Sequence, residues 1–336
     1  MILKHVSDNL NPYLKENGNN KLVLGVSGGV DSIVLLDVLN KLKEQYCISI
    51  SLIHINYGIH PKAQLAEDLC YDLASKYNID IASKAVDLKS SNFEASARDF
   101  RYNMFNEYSK KNSIDYILTA HHKDDQIETL QMKFLDGSDW VSFLGIRKKY
   151  GNIIRPMLNI TKKEILMYAN NQALSWIEDS SNTNINYRRN NIRLNVIPEI
   201  IKNNPGHIDE LMQKHYNAIK KISLLKDKMI FFRNEYIIES HPGCIIISNK
   251  VIDIEDRISF KIFYQDLCQK YFNCGLYSTK KHWKQFYLFV LNSRVHSLFD
   301  LNKDIRIIKK KEFHYIYTNN LPLSKINKII KQNEYH

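Results

Sequence analysis

Glycine and proline are scarce in this chain of 336 residues, at 11 and 7, and cysteine is scarcer still at 5. With 44% hydrophobic and 25% charged residues alongside, that scarcity excludes collagen-like, low-complexity and disordered chains and leaves a globular protein long enough for two or three domains. Cys47, Cys70, Cys244, Cys268 and Cys274 are odd in number and form no C-x-x-C pair, so neither a disulfide framework nor a zinc ribbon is indicated. No window holds the ~18 uninterrupted apolar residues of a membrane span, and residues 1–20 read as polar, without a signal core, which predicts a cytoplasmic protein that does not engage a membrane.

Negative charge is what the last third lacks. Residues 201–336 carry 23 Lys and Arg against 13 Asp and Glu, whereas residues 1–200 carry 24 against 23, so all but one of the net +11 charges is C-terminal. A near-neutral body with a basic appendage fits a catalytic part joined to a part that grips a polyanion. A solvated basic surface in a Lys-rich chain fits the charge equally well.

Residues 21–26, 48–56, 79–86 and 114–120 are short and rich in Ile, Val and Leu, as strands buried on both faces are. Helical spacing lies between them, as in Leu35, Val38, Leu39 and Leu42. Repeated strand–helix units predict an α/β fold, a parallel sheet with helices on both faces and ligands beyond the carboxyl ends of the strands. Residues 161–171 read as a helix capped by Thr161. Asn204-Pro205-Gly206 is a strong break, which divides the chain into a catalytic domain (1–204), a helical connector (205–240) and a small basic α+β domain (241–336) with strands at 244–248, 305–308 and 313–317 and two helices.

The segment Ser27-Gly28-Gly29-Val30-Asp31-Ser32 follows the first strand and opens an apolar helix. It is an anion cradle: glycines admit phosphate oxygens close to the backbone, Ser27 and Ser32 offer hydroxyls, and the helix start presents unpaired N–H groups. It is neither a Walker A loop nor G-x-G-x-x-G. After the fourth strand, Thr119-Ala120-His121-His122-Lys123-Asp124-Asp125-Gln126-Ile127-Glu128-Thr129 gathers two histidines and three carboxylates. Asp125 and Glu128, at i and i+3, converge on a cationic group such as an amine; a metal site and a first-turn acidic cap are the alternatives. Glu94, Arg98 and Arg101 share a helical face, where Arg98 either reaches a phosphate or pairs with Glu94. Arg188, Arg189 and Arg193, with Tyr187 and asparagines between, suit phosphate and base contacts, or a solvated basic helix.

S-G-G-x-D-S matches the pyrophosphate loop of ATP alpha-hydrolases, and the whole set resembles one family, the tRNA(Ile)-lysidine synthetases. The resemblance spans about residues 20–200 and is carried by residues 27–32, His54-Ile55-Asn56-Tyr57-Gly58-Ile59, Glu94 with Arg98 and Tyr102, residues 119–129, Arg155-Pro156-Met157-Leu158 and residues 176–198. It departs where the family reads R-G-S-G and G-L-x-G-M, since this chain has Asp136-Gly137-Ser138-Asp139 and Ser142-Phe143-Leu144-Gly145-Ile146. The C-terminal region looks shorter than in the longest members, which implies that a terminal tRNA-binding domain is reduced or missing.

The resemblance implies an adenine nucleotide alpha-hydrolase-like domain and a ligase that uses ATP, Mg²⁺, free L-lysine and a tRNA(Ile) with a CAU anticodon. Residues 27–32 would bind ATP, Asp31 would hold Mg²⁺, Arg98 would steady charge at phosphorus, Asp125 and Glu128 would place lysine, and Arg188, Arg189 and Arg193 would contact tRNA. A pyrophosphate-loop tRNA thiolase and a non-catalytic tRNA-binding protein are the competing readings; absence of paired cysteines counts against the first.

Overall fold

The computed structural model describes residues 2–15, 18–58, 62–86, 93–178, 183–254, 256–276 and 279–333. The chain divides into two compact units, Met1–Ile219 and Lys220–His336.

The first unit begins with α1 (Ile2–Leu10), β1 (Asn20–Val26), α2 (Val30–Leu42), β2 (Ile48–Asn56), α3 (Ala63–Tyr77), β3 (Asp80–Ala85), α4 (Phe93–Asn112), β4 (Tyr116–Leu118) and α5 (Lys123–Leu135). It continues through β5 (Lys149–Tyr150), β6 (Ile153–Ile154), α6 (Lys162–Asn171), α7 (Arg188–Asn191), α8 (Ile197–Asn203) and the first part of α9 (His207–Tyr236). The sheet order is β3-β2-β1-β4-β6-β5, parallel throughout except for the β5–β6 pair. This is the parallel sheet anticipated from the repeated strand–helix units, with a short antiparallel edge added.

Apolar residues on both faces of β1 make it central. Leu22, Leu24 and Val26 join the core with α2, while Val23 packs with Ile53, Phe105 and Ile117 on the opposite face. α2 lies against β1, α1 and α6, which explains why Ile33, Val34, Leu35, Leu36, Val38 and Leu39 are all buried rather than confined to one stripe. α1 occupies residues that read as merely polar, because Ile2, Val6 and Leu10 at i, i+4 and i+8 suffice to bury one face. α6 starts as its sequence predicts: Thr161 Oγ1 accepts from Glu164 N–H, and Glu164 accepts from Thr161 N–H at 2.8 Å. Strand order reverses between β1 and β4, so successive crossovers diverge there and open a crevice at the strands' carboxyl ends.

The second unit holds β7 (Ile237–His241), β8 (Cys244–Ser248), α10 (Arg257–Phe272), α11 (Lys280–Asn292), β9 (Leu298–Asp300), β10 (Ile305–Lys309), β11 (Phe313–Thr318) and α12 (Leu323–Asn333). Its antiparallel sheet runs β7-β8-β11-β10-β9. Two edge strands and a third helix go beyond the elements expected here: β7 and β9 are short and largely exposed, and α12 seats Ile326 and Ile330 on Cys244, Ile246, Tyr315 and Tyr317. On the other sheet face, Tyr264 of α10 donates its hydroxyl hydrogen to His314 Nε2 at 2.6 Å, and His314 Nδ1–H donates to Asn249 Oδ1 at 3.0 Å.

Candidate active site

A cavity of about 270 Å³ opens at the carboxyl ends of β1, β2 and β4, with Ser27, Asp31, Tyr57, Arg101, His121 and Asp125 in its wall. The loop between β1 and α2 is fastened from several sides. Gly28 has φ +80°, and a Cβ there would meet Ala66 Cβ at 2.8 Å, so glycine is required both by conformation and by the closeness of α3. Gly28 C=O accepts from Ile177 N–H at 2.9 Å. Ser32 Oγ accepts from Ser27 N–H at 3.1 Å and donates to Gly29 C=O at 2.9 Å, so this hydroxyl shapes the turn. Beneath it, His54 Nδ1–H donates to Val26 C=O at 3.0 Å, and burial lowers the His54 pKa and keeps the ring neutral. Burial also pushes the neighbouring Cys70 thiol up to about 12, which makes it unreactive.

Asp31 projects from this loop, and its Oδ1 lies 2.6 Å from Lys162 Nζ. His122 is surrounded by carboxylates, with Nε2 3.7 Å from Asp31 and 3.5 Å from Asp125, and Nδ1 3.6 Å from Asp124. Burial works against protonation of His122, but the Asp124, Asp125 and Asp31 carboxylates outweigh it and raise the pKa. His121 turns into the cavity, bonded to Thr119 Oγ1 at 2.9 Å; burial first, then Arg155, Arg189 and Arg98, takes it down to about 3. The two histidines, indistinguishable in the sequence, are thus shifted in opposite directions. Asp31 is a partly exposed oxygen donor at the mouth of an anion cradle, which fits a divalent cation held by one carboxylate and substrate phosphates. Among the described residues no group of three or more His, Cys, Asp and Glu could hold a metal ion alone.

Asp125 and Glu128 do converge on cations, and in the structure these are guanidinium groups. Arg189 Nε lies 2.7 Å from Glu128 Oε2, and its Nη2 2.9 Å from Asp125 Oδ1. Arg193 contacts both Glu128 oxygens, Nε at 2.5 Å and Nη2 at 3.1 Å. Glu128 is 1% exposed and lies behind Asp125 rather than in the cavity wall. Arg188 pairs with Asp136 at the surface. Arg98 is exposed, its guanidinium 4.9 Å over the Tyr102 ring, whereas Arg101 on the same helix lines the cavity. Ile59, residues 179–182 and the side chain of Glu94 lie outside the described residues. In the divergent 136–146 stretch, Asp139 Oδ1 accepts from Ser142 N–H at 3.2 Å, and Gln126 Oε1 accepts from Ile146 N–H at 2.6 Å.

Residues 2–200 match the PP-loop domain family. The tRNA(Ile)-lysidine synthase of Lactococcus lactis is 30% identical over 320 residues, 94% of this chain and 71% of that protein. The chain belongs to the tRNA(Ile)-lysidine synthase family. Members are ligases that form a carbon–nitrogen bond. The Treponema denticola member is 36% identical over 188 residues, 53% of this chain and 41% of that protein. The fold is shared, over 65% of this chain, with the U34-tRNA thiolase NcsA of Methanococcus maripaludis, at TM-score 0.52 and 20% identity over 79% of that chain. Of the arginines on the face of α4 that the spacing singled out, Arg101 rather than Arg98 reaches the cavity wall. The geometry also brings to the site a residue that sequence reasoning missed, Lys162, which follows an ordinary helix cap and has no local signature of its own.

Proposed function

We propose that the protein joins L-lysine to the wobble cytidine of a CAU-anticodon tRNA(Ile) in two steps on one site, in the cytoplasm. The observation that carries this reading is a preformed phosphate cradle and a carboxylate, Asp125, facing each other across one cavity. In the first step the cytidine C2 oxygen attacks the α-phosphorus of ATP, a P–O bond forms and pyrophosphate leaves. Unpaired backbone N–H groups of the 27–32 loop and Arg101 on the cavity wall hold the phosphoryl oxygens, joined by Arg98 as it leaves the Tyr102 ring, each donor contributing about 3 kcal/mol to the charged transition state. Mg²⁺ on Asp31 would supply further charge neutralisation there. In the second step the lysine ε-nitrogen attacks C2, loses its proton, and AMP departs with the C2 oxygen.

Asp125 and Glu128 are the proposed holders of the lysine amine. Asp125 is on the cavity wall, while Glu128 becomes available only as Arg189 and Arg193 part from it. Released, these arginines and Arg188 are the proposed tRNA contacts of the first unit, and the basic Lys220–His336 unit grips the phosphate backbone. Loop bases can be splayed outward without opening a duplex. Radiolabelled lysine incubated with a CAU-anticodon tRNA(Ile) transcript tests the reading. ATP-dependent label at the wobble cytidine is expected; ATP cleavage to AMP with sulfur transfer instead of lysine would transfer the protein to the thiolase reading.

A further inference from the structure

Lys162 holds the loop aspartate from a distance of 131 positions along the chain. Its backbone is fixed where α6 begins: its own N–H donates to Asp124 Oδ2 at 2.8 Å, beside the Thr161–Glu164 capping pair. Its side chain crosses to the loop after β1, where Nζ meets Asp31 Oδ1 at 2.6 Å. Among the described residues the next basic group at Asp31 is the His122 ring, more than an ångström farther off at 3.7 Å. The Lys162 and Asp31 side chains are 36% and 30% exposed, so this pair can part without stranding a buried charge. Arg189 and Arg193, by contrast, hold a carboxylate that is almost wholly buried, so they can leave Glu128 only as another cation, such as the lysine amine, takes their place.

We propose that Lys162 is a stand-in cation: its ammonium neutralises Asp31 in the nucleotide-free protein and moves to the phosphate oxygens when metal and ATP arrive together. The proposal rests on the reading of residues 27–32 as the nucleotide loop with Asp31 as metal ligand. A divalent ion and an ammonium compete for one carboxylate oxygen and repel each other, so Lys162 opposes capture of a bare metal ion. Once phosphates bring negative charge, both cations have partners, and a flexible four-carbon stem lets the ammonium change partner while α6 stays in place.

The full chain and its K162M and K162R variants test this. Mn²⁺ binding is measured without nucleotide by electron paramagnetic resonance, then ATP binding with Mg²⁺ by calorimetry. K162M is expected to bind Mn²⁺ roughly tenfold more tightly and ATP roughly tenfold more weakly, and K162R to stay near the native protein in both. These opposite signs are what a structural lesion does not produce: K162M weakened toward both ligands, or unchanged toward Mn²⁺, overturns the proposal. A native protein that binds no ATP with Mg²⁺ overturns the nucleotide-loop reading, and this one with it, and is recognised before any variant is compared.

Discussion

His121 and His122 leave β4 side by side and end in opposite surroundings, which makes them a test of how residues acquire charge here. Protonated His122 is favoured in the folded chain, so its stabilisation is full below the ordinary imidazole value of 6.5 and fades as pH climbs through its raised value. The melting-temperature gap between the native protein and H122Q should therefore shrink as the pH rises above the ordinary imidazole value, and a gap that widens would reject the carboxylate cage. At Gly28 the demand is steric. G28A forces a left-handed φ on alanine and presses its Cβ on Ala66, so we expect a loss of about 1–3 kcal/mol in urea unfolding, with ATP binding abolished in calorimetry. The motif around Gly28 was legible because strand, turn and helix lie within a dozen residues. The convergence of Asp125 and Glu128 on positive charge was legible from their i, i+3 spacing, but not the identity of the cations, because Arg189 and Arg193 come from some sixty residues further on and long-range pairing leaves no local trace.

At the scale of elements, Glu128 ties α5 to the segment that starts at α7. Its carboxylate is buried while its arginines are 33% and 38% exposed, so breaking the pairs with E128Q should cost about 2 kcal/mol, less than a fully buried triad would. Hydrogen exchange should quicken over residues 188–203 and stay unchanged in β1; uniform quickening would mean that Glu128 supports the whole unit instead. In the second unit α12 buries Ile326 and Ile330, with Ile329 packed beside them, and I330A should cost about 2–4 kcal/mol in urea unfolding. β1, β2 and β8 could be read from the sequence since each concentrates Ile, Leu and Val in a short segment. α1, β7 and β9 could not, as their few apolar residues acquire meaning only against a core built from elsewhere.

For the whole molecule the uneven charge is the dominant fact, since the excess of 23 cationic over 13 anionic residues lies beyond residue 200. Lys325, Lys328 and Lys331 stand exposed on α12, and their joint replacement by glutamine should flatten the salt dependence of tRNA binding by roughly 0.7–0.9 log units per log salt for each phosphate the lysines had neutralised. An unchanged slope in a filter-binding titration would place the phosphate grip elsewhere on the protein. The sheet order carries a consequence for biosynthesis. β1 pairs on one side with β2, which follows it closely, and on the other with β4, at Leu22 with Tyr116, while the outer β6 and Lys162 come later still. A ribosome that has released only the first hundred residues has delivered the phosphate loop without the opposite wall of its cavity. Nucleotide therefore cannot act as a template for the earliest folding steps, and the nascent loop must wait, its central strand half unpaired, until the chain has returned across it.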